Sequence, residues 1–350
     1  MKVAVTADVH LRTRLDHPER YNALENIFEQ IEAEGIYTLI IAGDLFDKDF
    51  CTYVEFERLC RAYPSVHVHI IPGNHDSGLC GRNMVGESIR IHSEPCALEF
   101  GATTFLFVPY EPQATMAQQV AEMEEEIQGK PWVLVGHGDY YGGRREVNPL
   151  EPGTYMPLSG ACVDRYKPRV VFLGHIHKPL DLGLVHYPGS PCGLDISETG
   201  RRRFLVYDTA DGSIVPRTVD TDVLHFRETF VVVPADDGAA LLEQQIADRI
   251  DSWGIEPMEV PKIRVRVAAV GYSGDRSGIL NALERSFGSF TFYDDEGPCI
   301  DRLLWSSDRQ LMATAERAMA LINEMDWPFG GDEPEREQVV LEALSVIYGT

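Results

Sequence analysis

Apolar and polar positions along the first half of the chain predict strands and helices by turns. Lys2 to Thr6 and Tyr37 to Ala42 are apolar runs of strand length. Between them Tyr21, Leu24, Ile27, Phe28 and Ile31 recur at helical spacing behind Pro18, which suits a first turn, so a helix is expected from about Pro18 to Glu34. The alternation continues with a helix from about Tyr53 to Ala62, strand Val66 to Ile71, strand Thr103 to Val108, a helix near Gln113 to Ile127, and strands at Trp132 to Val135, Val170 to Leu173, Leu182 to Tyr187 and Phe204 to Tyr207. This is an α/β pattern. Around Thr221 to Pro234 it changes to Phe230 to Val233, a helix Asp236 to Ile250, strand Ile263 to Ala269, a helix Gly278 to Phe287 and strand Phe290 to Tyr293, a small α+β domain. Two amphipathic helices, Gln310 to Met325 and Glu335 to Ile347, are expected beyond it, separated by Pro328, Gly330, Gly331 and Pro334. The domain expectation is therefore 1–225, 226–300 and a C-terminal helical segment 301–350, whose stripes Leu311, Ala315, Ala318 and Leu321, and Val340, Leu341, Leu344 and Ile347, would dock a partner or the chain's own second domain.

Composition narrows the class. The 350 residues suit about two domains, and 44% hydrophobic with 25% charged residues supports a sizeable core. No apolar run approaches the roughly 20 residues that span a bilayer. The start MKVAVTADVH has no apolar leader and no small-residue cleavage site, and seven cysteines without a CxxC fit a reducing compartment, so the expected location is cytoplasmic and no membrane contact is expected. The formal charge of −24 argues against a free-standing, tight nucleic-acid binder. It leaves room for an enzyme whose acidic groups hold divalent cations.

Five short segments concentrate metal-ligating side chains: Asp8 and His10 after the first strand, Asp44 in GDLFD, Asn74 and His75 in GNHD, His137 in GHGD, and His175 and His177 in GHIH. Five of the eleven histidines fall in them. Oxygen and imidazole donors without thiolate suit Mn or Fe and speak against a structural zinc finger. Each segment follows a predicted strand, so the loops can meet at one sheet edge, and Gly43, Gly73, Gly136 and Gly174 are expected to let the backbone turn just before the ligand. His67 and His69 alternate within a strand and are expected to be packing or surface residues.

The ordered set DxH, GDLFD, GNHD, GH and GHxH resembles the calcineurin-like metallophosphoesterases over residues 1 to about 190. The continuation HYPGSP, the GLDISETG loop, RRRFLVYD and the small trailing domain resemble the SbcD-type DNA repair exonucleases. That resemblance implies a β-sandwich flanked by helices, with a smaller α+β capping domain and C-terminal helices. It also implies two divalent cations, Mn²⁺ before Fe²⁺ or Mg²⁺, one held by Asp8, His10, Asp44 and His177 and the other by Asp44, Asn74, His137 and His175. Asp44 would bridge the two, and the pair would clamp one phosphate and activate a hydroxide. His75 would protonate the leaving oxygen or stabilise the pentacoordinate phosphorus, with Asp76 able to orient its ring or simply to cap the loop. Tyr187 and Ser190 are candidate phosphate contacts, Arg144 and Arg145 candidate contacts to a DNA backbone, and Arg201 to Arg203 surface or strand-edge charges. The implied partners are DNA as substrate, an SbcC-type ABC ATPase and a second copy in a homodimer. The alternative is a phosphoesterase acting on a small phosphodiester or phosphomonoester.

Overall fold

The computed structural model describes residues 1–48, 52–142, 151, 153–306, 308–326 and 334–349. The chain forms two compact units: Met1–Leu194 with Arg201–Val223, and Asp195–Gly200 with Leu224–Thr350.

The first unit has two six-stranded sheets. One contains β1 (Lys2–Thr6), β2 (Thr38–Ala42), β3 (His67–Ile71) and β4 (Ile89–Ile91), mutually parallel, with β13 (Arg203–Asp208) antiparallel to β1 at its other side and β14 (Ile214–Thr218) antiparallel to β13. The other contains β5 (Cys96–Phe100), β6 (Thr103–Val108), β7 (Trp132–His137), β10 (Val170–Gly174), β11 (Leu180–Leu182) and β12 (Val185–Tyr187), in the order β11-β12-β10-β7-β6-β5. Two-residue strands β8 (Tyr140–Tyr141) and β9 (Leu158–Ser159) pair separately. The sheets pack face to face: Val3, Val5, Ile40 and Ile71 meet Phe105, Phe107, Val133, Val135 and Phe172 in one buried cluster. Helices cover the outer faces. On the first sheet lie α1 (Pro18–Ala33) and α2 (Tyr53–Ala62), which bury Leu24, Ile27, Phe28 and Phe56 against Leu39, Ile41 and Val68. On the second lie α3 (Met116–Glu122), α4 (Glu124–Ile127) and α5 (Gly160–Tyr166), with Met116, Val120 and Val163 against Leu134, Val171 and Leu173. Strands covered on both faces are apolar throughout, which is why TLIIA and VVFLG show no alternation. Each such side chain contributes about 1.5–3 kcal/mol by burial.

Three departures from the sequence pattern have local causes. The helix expected from Gln113 begins at Met116, because Gln113 has φ 69° and Thr115 with Gln118 closes a capping box. The strand expected from Leu182 to Tyr187 is a hairpin, turned at Gly183 with φ 65°. The short elements β4, β5, β14 and α5 carry too few periodic positions to stand out in the sequence.

In the second unit β15 (Leu224–Val232) and β16 (Ile263–Ser273) pair in parallel, and β17 (Thr291–Phe292) and β18 (Leu303–Trp305) join opposite ends of β16. Helices α6 (Gly238–Ser252) and α7 (Arg276–Phe287) bury Leu242, Ile246, Ile279, Leu283 and Phe287 against Phe226, Phe230, Val265 and Val267. Helices α8 (Arg309–Glu324) and α9 (Arg336–Tyr348) close a separate cluster of Ala315, Ile322, Val340 and Leu344 on Tyr272, with Val231 and Val233 beside it. In α8 the inward stripe runs through Ala315, Met319 and Ile322, while Leu321 is 58% exposed.

Candidate metal centre

The parallel strands β1, β2, β3, β7 and β10 deliver their carboxyl ends, and the five motif loops, to one edge of the sandwich. The loops are stitched to one another by backbone bonds: Asp8 N donates to Gly43 O at 3.1 Å, His10 N to Asp44 O at 3.0 Å and Leu11 N to Leu45 O at 2.8 Å. Crowding there forces unusual backbone. Asp8, His10, Asp44 and His175 have φ of 53°, 50°, 51° and 98°, a region that side chains other than glycine enter at a cost of about 1–3 kcal/mol each. Of the four glycines expected to serve turns, Gly43 has φ 90°, whereas Gly73 and Gly174 are needed for close approach: a Cβ would stand 2.1 Å from Asp44 Oδ1 and 2.1 Å from Ala42 O respectively. At Gly136 a Cβ would meet only side chains, those of Met116 and Leu173.

The structure brings Asp8, His10, Asp44, Asn74, His75, His137, His175 and His177 together. His10 Nε2 lies 3.1 Å from His177 Nε2 and 3.6 Å from Asp44 Oδ2. His137 Nε2 lies 2.9 Å from Asn74 Oδ1 and 3.3 Å from Asp44 Oδ2, and His175 Nδ1 is 3.2 Å from the same Asn74 oxygen. Donor atoms converge closely enough for a cation in the groups Asp8–His10–His177 and Asp8–Asp44–His137, and also in His10–Asp44–His75. The donors suit a hard or borderline divalent metal, and Asp8 supplies a direct sign of fit: its Oδ2 is buried with no hydrogen-bond partner. Burial accordingly raises the Asp8 carboxyl above its ordinary range, against the neighbouring imidazoles. For Asp44 burial also raises the value, but His137 and His10 outweigh it and hold the group well below that range.

Further groups surround these candidate ligands in the way that imidazole ligands require. His137 Nδ1 faces Ala42 O at 2.9 Å, leaving Nε2 toward the centre. Asp139 is fully buried and accepts from Tyr155 N at 2.8 Å; its Oδ1 stands 4.0 Å from His175 Nε2, close enough for an electrostatic contact and too far for a hydrogen bond. Asp47 lies 3.7 Å from His10 Nδ1 and 3.2 Å from His75 Nδ1, and is itself held by Arg12 at 2.6 Å and Arg20 at 3.5 Å. Burial lowers the His137 imidazole, but Asp44 reverses this and lifts it to about 9. His75 is likewise lifted to about 10 against burial, by Asp47 and Glu151. His175, buried beside His137, is pushed down to about 3.

The sequence missed Asp47, Asp139, Arg20 and Glu151. The first two sit inside GDLFD and GHGD, where a second carboxylate next to a ligand is itself a signal; Arg20 and Glu151 carry no local one. Other expectations need correction. Of the two readings of Asp76 the structure shows the loop cap and not the orienting of His75: its oxygens accept from Gly73 N at 2.7 Å and Phe46 N at 3.1 Å, tying two loops, and burial lifts it to about 6. The ring of His75 is met by Asp47 instead. Tyr187 is not a phosphate contact; it is core, with its hydroxyl donating to Gly138 O at 3.0 Å. Ser190 is fully buried beneath the His177 loop, with its N donating to His177 O at 3.0 Å and its Oγ accepting from Arg202 at 3.1 Å. Arg202 is therefore no surface charge but a 2% exposed support that also donates to His177 O at 3.3 Å. Arg144 and Arg145 lie outside the described residues.

The calcineurin-like phosphoesterase family pattern matches residues 1–179, which span these five loops. The chain belongs to that family. This phosphoesterase is therefore a metal-dependent hydrolase of phosphate esters, and its family uses a dinuclear metal site. It is 23% identical over 278 residues to the SbcD component of the SbcCD nuclease of Rhodobacter capsulatus, covering 63% of this chain and 69% of that one. Among solved structures it is similar to a novel archaeal phosphodiesterase (16% identity, 63% of this chain, 100% of that chain, TM-score 0.34) and to a dimetal phosphatase from Danio rerio (13%, 63%, 96%, TM-score 0.40). Among the described residues of this phosphoesterase no helix is long and apolar enough to cross a membrane.

Proposed function

We propose that the protein is a Mn²⁺-dependent phosphodiesterase that cleaves DNA, as the nuclease component beside an ABC ATPase of the SbcC type and in a homodimer. The observation that carries this reading is the convergence of Asp8, His10, Asp44, Asn74, His137, His175 and His177 from five strand ends, in a chain similar to a nuclease component. One cation would be held by Asp8, His10, Asp44 and His177, the other by Asp44, Asn74, His137 and His175. Bound there, the two ions would neutralise the phosphate and activate water for in-line attack. The chain's own residues prepare that step. His75 is gripped on both ring nitrogens by carboxylates, Asp47 at 3.2 Å and Glu151 at 3.1 Å, so it carries a proton to hand to the leaving oxygen. Asp47, anchored by Arg12, fixes the ring; Arg20 supports the His10 backbone. The ATPase would meet the outward faces of α8 and α9, where Leu321 and Val346 are 58% and 81% exposed.

The charge of −24 favours a second reading, a small phosphodiester or phosphomonoester as substrate. Turnover of linear duplex DNA, bis-p-nitrophenyl phosphate and p-nitrophenyl phosphate by the Mn²⁺-loaded protein separates the two. Cleavage of DNA and of the diester is the expected result. Turnover of the monoester alone would end the nuclease reading.

A further inference from the structure

Glu151 belongs to none of the five motifs, yet its carboxylate spans two consecutive residues of the GNHD loop. Oε2 accepts from Asn74 Nδ2 at 2.8 Å, and Oε1 meets His75 Nε2 at 3.1 Å. By engaging the donor end of the Asn74 amide it leaves the acceptor end, Oδ1, for His137 and His175. On His75 it takes the nitrogen opposite the one that Asp47 holds. Its side chain is 23% exposed against 12% for Asp47, so Glu151 is the more open of the two carboxylates on that imidazole. A substrate whose leaving oxygen is to receive the His75 proton must therefore enter beside a fixed negative charge.

We infer that Glu151 determines the substrate class of this site, favouring phosphodiester monoanions over phosphate dianions while holding the Asn74 amide in its ligand orientation. The inference rests on the phosphodiesterase reading and sharpens it. Near neutral pH a phosphomonoester carries about −1.5 to −2 charges, because its second pKa is about 6, while a diester carries one. The extra charge of the monoester would lie within a few ångströms of the Glu151 carboxylate. A repulsion of that kind, in the partly desolvated setting of a loop cluster, discriminates by roughly tenfold or more. Asp47 does not act in this way, since Arg12 and Arg20 neutralise it.

The test compares the Mn²⁺-loaded wild type with Glu151→Gln, which keeps the length and an acceptor for Asn74, and with Glu151→Asp, which keeps the charge. Calorimetric titration with inorganic phosphate at pH 8, Mn content per chain, and kcat/KM for p-nitrophenyl phosphate and bis-p-nitrophenyl phosphate are measured on each. Glu151→Gln is expected to bind phosphate roughly tenfold more tightly, to raise the monoester-to-diester ratio by a similar factor and to retain its metal; Glu151→Asp is expected to do neither of the first two. Unchanged phosphate affinity in Glu151→Gln, an equal gain in Glu151→Asp, or loss of Mn from Glu151→Gln would each overturn the assignment. If the wild type turns over no diester, the phosphodiesterase reading falls, and the phosphate titration still decides the role of Glu151.

Discussion

Each unit of the protein buries carboxylates, and they are treated differently. In the second unit Glu228 is 9% exposed and fully engaged: Oε2 accepts from Arg249 at 2.6 Å and Oε1 from Trp253 Nε1 at 3.0 Å. In the first unit Asp8 is wholly buried, one oxygen accepts from His175 N at 2.8 Å, and the other has no hydrogen-bond partner. The backbone shows the same division. The first unit holds Asp8, His10, Asp44 and His175 at positive φ within its buried centre, besides surface residues such as Gln113 and Lys167, while among the described residues of the second those at positive φ other than glycine, Asp294 and Asp295, are on the surface. A buried charge satisfied by the chain itself serves the fold. One left open, on strained backbone, is held in place by the sandwich for something that binds.

The largest test of that contrast is Asp44→Ala. Asp44 Oδ2 lies 3.6 Å from His10 and 3.3 Å from His137, one member of each proposed ligand set, so its loss should drop the metal below one ion per chain and turnover by roughly 10³-fold or more, read by metal analysis beside a diester assay. Retention of two ions would refute a bridging Asp44. His75→Asn should instead keep its metal and lower turnover by roughly 10²- to 10⁴-fold. Metal loss in that variant would make His75 a ligand.

Stability separates the two units by sign. Glu228→Gln should destabilise the metal-free protein by about 1–3 kcal/mol, since Arg249 and Trp253 lose their acceptor, whereas Asp8→Asn should stabilise it by about 1 kcal/mol, since a buried, half-partnered carboxylate disappears. Urea unfolding of both in the presence of a chelator tells them apart, and destabilisation by Asp8→Asn would erase the contrast. A smaller effect concerns imidazoles without a carboxylate. His69 and His92, 3.0 Å apart among Phe100 and Phe107, are pushed down by burial to about 3 and about 4. The unfolded chain takes up protons near pH 6.5 that the folded chain refuses, so stability is complete above that pH and falls as the pH drops toward 4, by about 2 kcal/mol per imidazole at pH 5. His69→Leu should remove about half of this pair's share of the slope, measured by denaturant unfolding between pH 7 and pH 5. An unchanged slope would mean that these imidazoles are charged in the folded state.

The candidate ligands were legible because each sits within a few positions of a strand end and is chemically distinctive: carboxylates, imidazoles and the Asn74 amide, with Asp44, Asn74, His137 and His175 directly behind a glycine. Central strands such as β2 and β10 were legible as nearly uninterrupted apolar runs, because strands covered on both faces leave no polar alternation to confuse with a helix. The groups that orient the ligands were not. Glu151 reaches His75 across 76 positions of sequence, and Arg202 supports His177 from 25 positions away. Tyr187 and Ser190 were candidate phosphate contacts for their hydroxyls, while the Pro-Gly-Ser-Pro stretch also read as an ordinary turn; that turn is packed under the His177 loop and both side chains are buried.

By itself the sequence determined which side chains could ligate a metal, the order in which the loops present them, and a change of pattern around Thr221 to Pro234, since local periodicity and residue chemistry carry all three. Tertiary structure alone decided which carboxylate serves which imidazole, Asp47 rather than Asp76 for His75, and which face of α8 turns inward. Those choices depend on distances between segments far apart in the chain. Burial then acts on the chosen pairs against the charges around them: carboxylates lift His75 and His137 in spite of it, His175 falls because burial and the neighbouring His137 outweigh Asp44 and Glu151, and His69 and His92 fall under burial.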